Sequence, residues 1–224
     1  MFRTIALIGL IFITSGCAAP IDEQEVYDPI ESVNRQILNA NNQVDDYVVS
    51  PIVKAYVYLP HRLRLGIRNV LNNLNEPFSV ANNLLQADFQ GAGEGFARFF
   101  INSTYGIAGL VDVANSELNL TPDREDIGQT LAVWGVGKGP YLILPIFGPS
   151  NLRDATGFAG KIFLDPIDYV IDDNVFQISR TALTGIDTRE AFSKPIENLR
   201  ESSLDFYAAV RSAYNQVKAE QIKH

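Results

Sequence analysis

Few residues of this chain have the side-chain chemistry that catalysis or metal binding requires. The sequence contains one cysteine, Cys17, and two histidines, His61 and His224, of which His224 is the last residue. A single cysteine excludes an internal disulfide and a zinc site built on several cysteines. A histidine base would have to be His61 or the end of the chain. The residue types therefore favour a function that needs no histidine or cysteine centre.

Adjacent carboxylates are the remaining candidates for acid–base chemistry. They occur as Asp45-Asp46, Glu125-Asp126 and Asp172-Asp173. Adjacent positions of a helix point to different sides, so we interpret these pairs as solvated faces or helix caps. The stretch Gly-Val-Gly-Lys-Gly-Pro at residues 135–140 lacks the last glycine of a dinucleotide-binding loop and the Gly-Lys-Ser/Thr of a phosphate-binding loop. We expect no enzymatic activity, no metal and no cofactor.

The N-terminal residues have the pattern of a targeting signal. Arg3 precedes a short apolar run, and the small residues Thr14-Ser15-Gly16 stand directly before Cys17. A charged start, an apolar run and a small-residue cleavage site are the three parts of a signal peptide, which we assign to residues 1–16. The run is too short to cross a bilayer as a permanent helix. The alternative is an ordinary buried cysteine near a cleavage site.

This N-terminal segment resembles a bacterial lipobox, which implies that Cys17 becomes the first mature residue and is acylated. Each buried methylene of an acyl chain contributes roughly 0.8 kcal/mol, and two or more chains give lasting attachment to a membrane. Residues 17–26 are then a lipidated tether, and residues 27–224 are the folded domain. Ala18 follows the cysteine; in bacterial lipoproteins an aspartate there would favour inner-membrane retention, so Ala18 favours the outer membrane.

Composition narrows the class of protein further. The chain has 224 residues, of which 46% are apolar and 20% charged, and a formal net charge of -8. This length accommodates one domain with its own core, and the apolar fraction excludes a disordered chain. The acidic balance argues against a nucleic-acid partner, because phosphates are neutralised by lysine and arginine. Beyond Cys17 we find no apolar run of the about 18 residues that a transmembrane helix requires.

Helical spacing runs through most of the chain and predicts an all-α fold, a single domain of amphipathic helices. Asp28-Pro29 and Pro51 each begin a helical segment, since aspartate caps helices and proline suits the first turn. Two apolar stripes recur at intervals typical of helices. They comprise Leu63, Ile67, Val70, Leu71 and Leu74 in one segment, and Phe89, Ala92, Phe96, Phe99 and Phe100 in the next. We find no convincing strand pattern.

Caps and breakers predict the helices of the second half. Thr121-Pro122 indicates a helix that runs to about Trp134 and ends at Gly135. Ser150 indicates the cap of a helix that ends at Asp165-Pro166.

The C-terminal region is predicted in the same way. Asp187 is the expected cap of a helix that is interrupted at Pro195. The apolar residues between Ile196 and Val217 recur at spacings of three and four, which indicates one amphipathic helix of several turns.

The segment at residues 135–149 differs from the rest because it is apolar yet punctuated by glycine and proline, which exclude a regular helix. It is either a crossover buried in the core or a loop that faces lipid or lines a cavity, where irregular backbone is tolerated at membrane depth. Glycines permit backbone angles closed to other residues, whereas prolines restrict the chain. The candidate functional residues here are Gly135, Gly137, Gly139, Pro140, Tyr141 and Pro145.

A series of short motifs in this chain resembles the MlaA/VacJ family of outer-membrane lipoproteins. The matches cover residues 27–160 well and are looser beyond them. The earlier motifs are Asp28-Pro29, Asn34-Arg35, Asn73-Leu74-Asn75-Glu76-Pro77, Arg98-Phe99 and Ile101-Asn102-Ser103-Thr104. The densest are Glu125-Asp126-Ile127-Gly128-Gln129-Thr130-Leu131, Trp134-Gly135-Val136-Gly137, Gly139-Pro140-Tyr141 and Leu152-Arg153-Asp154.

The resemblance implies a specific fold and function. Family members form a ring of helices in the inner leaflet of the outer membrane of Gram-negative bacteria, at its periplasmic face, with a polar channel through the ring. Misplaced glycerophospholipids of the outer leaflet enter this channel and pass to a periplasmic lipid-carrier protein, which preserves lipid asymmetry. Family members also associate with trimeric outer-membrane porins. For this chain the resemblance implies attachment to the membrane through acylated Cys17. Residues 135–149 are our candidate for an element at the edge of the channel.

Two other functions stay open at this stage. The first is a structural or scaffold lipoprotein that binds a porin and moves no lipid, and the second is a lipid-modifying enzyme. The role of the 135–149 glycines is open as well. They either let the segment yield to a passing headgroup or only allow a tight turn after the Trp134 helix.

Overall fold

The computed structural model of the protein describes residues 27–222. The predicted signal peptide, Cys17 and the tether therefore lie outside the described residues. Helices dominate the described part of the chain, which confirms the predicted all-α fold. In chain order they are α1 (Glu31–Val44), α2 (Ser50–Val57), α3 (His61–Leu85), α4 (Phe89–Thr104), α5 (Val113–Leu118), α6 (Ile127–Val133), α7 (Leu152–Leu164), α8 (Pro166–Val170), α9 (Asn174–Ala191), α10 (Ser193–Ser202) and α11 (Phe206–Gln221). A π-helical turn, Asp45–Val49, joins α1 to α2.

The apolar segment that follows α6 contains a β-hairpin. Strand β1 (Tyr141–Leu144) pairs antiparallel with β2 (Gly148–Asn151), and Leu144 lies opposite Gly148 at the turn. The expectations that residues 135–149 form an irregular loop and that the chain has no strand were therefore wrong for the two strands of this β-hairpin. Each strand has four residues, which is too short for an alternating pattern to stand out in the sequence. Gly148 adopts a positive φ of 84° at the end of the turn, an angle that favours glycine.

Helices α3 and α4 form a helical hairpin that brings two polar faces together. Asp88 caps α4 by accepting hydrogen bonds from the backbone N–H groups of Gln90 and Gly91. Gly95 lets the two helices approach closely, because a Cβ at this position would lie 2.9 Å from Val80 Cγ2. The buried polar residues of these two helices are Asn73, Glu76, Ser79, Asn82 and Asn83 of α3 and Arg98 and Asn102 of α4. This interface is therefore a buried polar surface.

Most residues of the two predicted apolar stripes lie at least partly at the surface, although Ala92 of the second stripe is buried. Phe89, Phe96 and Phe100 of α4 are exposed by 73%, 58% and 59%. Leu63 of α3 is exposed as well, and the other members of its stripe are only partly buried. A helix in water normally turns its apolar stripe to the core. In this helical hairpin the arrangement is reversed.

The same reversal extends over the described part of the molecule. Its buried side chains comprise 15 polar or charged residues and 10 apolar ones. Its exposed large apolar residues include Tyr105, Ile107, Trp134, Ile146, Phe147, Ile162, Phe163, Val170, Val175 and Ile178. A contiguous apolar surface marks an interface with protein or membrane. None of the helices within residues 27–222 has the length and hydropathy needed to cross a bilayer.

Two predicted helix starts differ from the structure. The helix expected from Pro122 begins at Ile127, because Asp126 and Gln129 form a reciprocal capping box that stabilises the later start. Helix α7 begins one residue later than expected, since Asn151 is its cap and accepts a hydrogen bond from the backbone N–H of Asp154. Its end at Asp165 is as predicted.

The C-terminal predictions also need correction. Asp187 does not cap a helix: it lies inside α9 and is buried, where it binds Arg68. An ion pair with a distant helix explains the aspartate better than a local cap does. The single helix expected between Ile196 and Val217 is two helices, because Asp205 caps α11 by accepting from the backbone N–H of Ala208.

Candidate functional site

Gly135 ends helix α6 in the way that the turn interpretation predicts. Its φ is +85°, its N–H donates to the carbonyl of Ala132, and the N–H of Val136 donates to the carbonyl of Leu131. These two hydrogen bonds and the left-handed glycine define a Schellman motif. Gly135 therefore has a structural role in stopping the helix.

The next two glycines of the segment differ from one another. Gly137 is exposed, has no positive φ, and a Cβ placed there would meet nothing within 4 Å. Gly139 has a φ of +66°, and a Cβ there would lie 3.0 Å from Leu152 Cβ. Pro140 follows, and its carbonyl accepts the N–H of Leu152 at the base of the β-hairpin. A side chain at residue 139 would therefore strain the fold, whereas one at residue 137 would not.

Tyr141 and Pro145 lie at opposite ends of β1. Tyr141 is buried in the cluster that contains Leu38, Ile143 and Tyr207, and its ring meets that of Tyr207 edge-on at 6.1 Å between centroids. Burial raises the pKa of the Tyr141 phenol, whose oxygen has no hydrogen-bond partner. Pro145 lies at the exposed turn beside Ile146, which is 74% exposed. The β-hairpin thus has a buried base and an exposed apolar tip.

The free edge of the β-hairpin is held by two asparagines of α1, which we name the amide clasp. Asn34 donates from Nδ2 to the carbonyl of Tyr141 at 3.0 Å and accepts at Oδ1 from the N–H of Ile143 at 2.9 Å. A side-chain amide offers the same donor and acceptor as a backbone peptide. Asn34 therefore occupies the place of a neighbouring strand.

Asn41, the second member of the amide clasp, lies two helical turns beyond Asn34 on α1. It donates to the carbonyl of Leu144 at 2.9 Å and accepts from the N–H of Ile146 at 2.8 Å. Residues seven apart lie on one face of a helix, so both amides reach the same edge of β1. An unpaired strand edge exposes a row of N–H and C=O groups, and the clasp satisfies it with neutral hydrogen bonds.

The first described residues are fastened beside the base of the β-hairpin. The carbonyl of Tyr27 accepts the N–H of Tyr141 at 2.8 Å. Asp28 accepts hydrogen bonds from Asn34 at 2.9 Å, from Arg211 at 2.8 Å and from the hydroxyl of Tyr207. The first residues of the folded domain, helix α1 and helix α11 therefore meet at one point.

The polar interface of α3 and α4 contains a buried ion pair. Arg98, 1% exposed, donates from Nε to Glu76 Oε1 at 2.7 Å and from Nη2 to Asp112 at 3.3 Å. Burial raises the pKa of Glu76, although the guanidinium of Arg98 opposes this shift. The second carboxylate oxygen of Glu76 is buried without a hydrogen-bond partner. The guanidinium of Arg98 and the carboxylate of Glu76 are thus both buried and directly paired.

A row of amides and hydroxyls extends this polar interior along α3. Asn82 accepts a hydrogen bond from the hydroxyl of Thr130 at 2.9 Å, and Gln86 donates to Glu125 at 2.6 Å. The residues that the structure describes include no cluster of histidine, cysteine or carboxylate side chains that could hold a metal ion. The described interior thus supplies amide, hydroxyl and carboxylate groups along α3.

The predicted site residues are therefore distributed between the β-hairpin and the chain preceding it, while Cys17 lies outside the described residues. Sequence reasoning did not identify Asn34 and Asn41 as a clasp, or Arg98 and Glu76 as a pair. Asn34-Arg35, Asn75-Glu76 and Arg98-Phe99 stood out as motifs, but their contacts join residues far apart in the chain. Spacing within one helix carries no signal for such contacts.

Comparison with known proteins gives one consistent result. The family model of the MlaA lipoprotein matches residues 26–221. The Escherichia coli K12 intermembrane phospholipid transport system lipoprotein MlaA is 38% identical over 208 residues, covering 90% of this chain and 81% of that protein. Its Haemophilus influenzae counterpart is 31% identical over 218 residues, covering 94% and 86%.

A solved structure supports the same assignment at the level of the fold. It is described as the structural basis for maintenance of bacterial outer membrane lipid asymmetry. It superposes with a TM-score of 0.73 at 35% sequence identity, covering 87% of this chain and 98% of that one. By the sequence model, the relatives and the fold, the chain belongs to the MlaA lipoprotein family.

Proposed function

We propose that this protein is an outer-membrane lipoprotein that removes misplaced glycerophospholipids from the outer leaflet and passes them to a periplasmic lipid carrier. The transport role named for its Escherichia coli and Haemophilus influenzae relatives supports this proposal. The observation that carries it is the reversed polarity of the fold, with polar side chains inside and large apolar ones outside. Acylated Cys17 anchors the protein, and a trimeric porin is its partner in the membrane.

The reversed polarity suits the physics of moving a lipid. A polar headgroup that enters hydrocarbon without partners loses roughly 2–7 kcal/mol of hydration for each uncharged polar group. The hydrogen-bonded amides and hydroxyls along α3 keep the interior polar, while the exposed phenylalanines of α4 match the acyl chains around the protein. A ring of such helices in the inner leaflet lowers the barrier for the headgroup and needs no cofactor and no covalent step.

Within this function we assign residues 135–149 to a gate at the channel edge. The exposed tip of the β-hairpin, the open space at Gly137 and the few neutral hydrogen bonds of the amide clasp support this assignment. A segment held in this way can move without breaking a buried ion pair. Gly135 and Gly139, which have positive φ angles, fix the course of the backbone on either side of Gly137.

The gate is tested best at Gly137. Gly137→Val restricts the backbone, but a Cβ at this exposed position would meet no atom within 4 Å, so we expect a folded, membrane-located protein. Cells that carry this variant should accumulate phospholipid in the outer leaflet, measured with an amine reagent that does not cross the membrane. Gly185→Val is the control, because Gly185 is exposed, has the same open space for a Cβ and lies far from residues 135–149, in α9. A Gly137→Val protein that clears outer-leaflet phospholipid at the wild-type rate would contradict the gate.

Lipid bound to the purified protein tests the function itself. Mass spectrometry of the full lipoprotein extracted in mild detergent should detect glycerophospholipid that remains chemically intact on incubation. Porin recovered without lipid would support the scaffold alternative instead, and repeated release of fatty acid or headgroup would support an enzyme.

The anchor is tested separately at Cys17. Cys17→Ser should abolish acyl labelling and processing of the N-terminal segment, because the thiol is the attachment point. Unchanged labelling would reject the lipoprotein assignment of this residue.

A further inference from the structure

The turn that follows α4 is exposed and apolar but has a closely hydrogen-bonded backbone, and we name residues 105–111 the apolar knob. Its large apolar side chains are exposed by 46–79%, and they are Tyr105, Ile107, Leu110 and Val111. Six of its backbone N–H groups donate to carbonyls of residues 101–107, and they belong to Tyr105, Gly106, Ala108, Gly109, Leu110 and Val111. A loop in water can leave such groups to the solvent, whereas a loop in hydrocarbon has to satisfy them internally.

The hydroxyl side chains at the base of the apolar knob are satisfied within the protein as well. Ser103 accepts a hydrogen bond from Asn73 at 2.9 Å. The exposed Thr104 donates from its hydroxyl to the carbonyl of Phe100 at 2.7 Å. These hydroxyls therefore need no water, which suits apolar surroundings, where an unpaired polar group is costly.

Charge is absent from the exposed surface of the knob and of the helical turns before it. Between residues 95 and 111 the only charged side chain is Arg98, which is buried. Asp112, the first residue after the knob, pairs with Arg98 at 3.3 Å. The knob directly follows α4, which exposes Phe96 and Phe100. The uncharged apolar surface of α4 thus continues into the knob.

The backbone of the knob is strained at its most exposed turn. Three successive residues have left-handed φ angles, which are +53° at Ile107, +54° at Ala108 and +87° at Gly109. Glycine adopts such angles freely, but for a β-branched isoleucine they are an outlier. A strained conformation persists only where the surrounding structure over-determines it, and strain is common at binding sites. The hydrogen bonds on either side of Ile107 therefore fix a conformation that an unconstrained isoleucine would avoid.

We propose that the apolar knob inserts among the acyl chains of the membrane lipids and forms a second membrane attachment besides acylated Cys17. The inference goes beyond the proposed function, because it concerns the lipids that surround the protein and not the lipid that it moves. The side chains of the knob gain free energy when they leave water, in proportion to the apolar area that they bury. A protein partner brings hydrogen-bonding groups of its own, so a surface that binds protein has less need to satisfy its hydroxyls and N–H groups internally.

A nitroxide spin label at Ile107→Cys or Leu110→Cys measures the position of the knob in the full lipoprotein. The protein, with any porin that co-purifies, is placed in vesicles of phosphatidylethanolamine and phosphatidylglycerol. Both labels should collide more often with oxygen, which concentrates in hydrocarbon, than with a water-soluble nickel chelate. Lys194→Cys, at an exposed position of α10, is the control and should show the opposite order. The wild-type protein gives the background, because acylation blocks the thiol of Cys17.

The variant Ile107→Asn separates membrane contact from folding. Asparagine adopts left-handed angles more readily than isoleucine, so this variant should unfold in detergent at the wild-type temperature or above it. Its polar amide opposes insertion into hydrocarbon. In this background the label at Leu110 should therefore become less accessible to oxygen and more accessible to nickel.

Three results would overturn the proposal. A label at Ile107 that meets nickel more often than oxygen would place the knob in water. A label shielded from both reagents would place the knob under another protein, such as a porin. An unchanged Leu110 label in the Ile107→Asn variant would show that Ile107 serves the fold alone. The labels report position and not transport, so a protein that moved no phospholipid would refute the proposed function without deciding this inference.

Discussion

The α3–α4 interface and the β-hairpin both bury polar groups, but they do so with different chemistry. The interface holds the ion pair of Arg98 and Glu76, and both side chains are almost fully buried. The β-hairpin is held by the neutral amides of Asn34 and Asn41, and its tip at Ile146 is exposed. A broken buried ion pair leaves desolvated charge, whereas a broken amide contact near the surface is rehydrated at small cost. The α3–α4 interface should therefore resist opening, whereas the exposed end of the β-hairpin should open more easily.

The largest expected effect is at the buried ion pair. Arg98→Met should lower the free energy of unfolding by about 3–5 kcal/mol, because Glu76 would remain buried without its partner. Chemical denaturation in detergent measures this change. The loss should shrink as pH falls, since burial raises the pKa of Glu76 and protonation removes the uncompensated charge.

The double variant Arg98→Met/Glu76→Leu is the control for that ion pair. It removes both charges, so it should regain much of the stability lost in the single variant. If Arg98→Met alone were as stable as the wild type, the α3–α4 interface would be no more resistant to opening than the β-hairpin.

The next largest effect is at Asn34. Asn34→Ala should cost about 1–3 kcal/mol, because the carbonyl of Tyr141 and the N–H of Ile143 are buried and would lose their partner. Amide hydrogen exchange at Ile143 should accelerate. Asn39→Ala, an exposed asparagine on the same helix, is the matched control and should leave this exchange unchanged. If the amide of Ile143 exchanged equally slowly in the wild type, Asn34→Ala and Asn39→Ala, the clasp would be rejected.

A smaller effect is expected at Asn41, which holds the exposed end of the β-hairpin. Asn41→Ala should cost about 1 kcal/mol or less, because water can reach the freed groups near the turn. Exchange should accelerate at Ile146 but not at Ile143. If both amides exchange faster together, the β-hairpin opens as one unit and its base is no firmer than its tip.

The smallest effect is expected at Asp205, which forms an ion pair with Arg35 on the surface. Arg35 belongs to α1, the helix that carries the amide clasp. The guanidinium of Arg35 lowers the pKa of Asp205 to about 2. Any stabilisation from this carboxylate is present above the ordinary aspartate pKa and is lost as pH falls through the lowered one. Because the pair is exposed, Asp205→Asn should destabilise less than Asn34→Ala. Thermal unfolding at neutral pH and near pH 2 checks this, and a larger loss than at Asn34 would contradict it.

Local patterns in the sequence predicted much of the helical structure. The end of α6 at Gly135 and the end of α7 at Asp165 were predicted because glycine and the Asp-Pro pair act through their own backbone. The start of α6 was missed because the proline signal at Pro122 competed with the capping box of Asp126, and the box makes two hydrogen bonds.

The sequence by itself determined that the helices are amphipathic and that the chain carries the motifs of its family. Only the tertiary structure decided that the polar face of α3 lies inside and that Phe96 and Phe100 lie outside. Helical periodicity has no direction: it separates two faces, and the surroundings decide which one is buried. Likewise, the amide clasp joins α1 to a β-hairpin about one hundred residues further along the chain, and the spacing of residues within one helix does not predict such a contact.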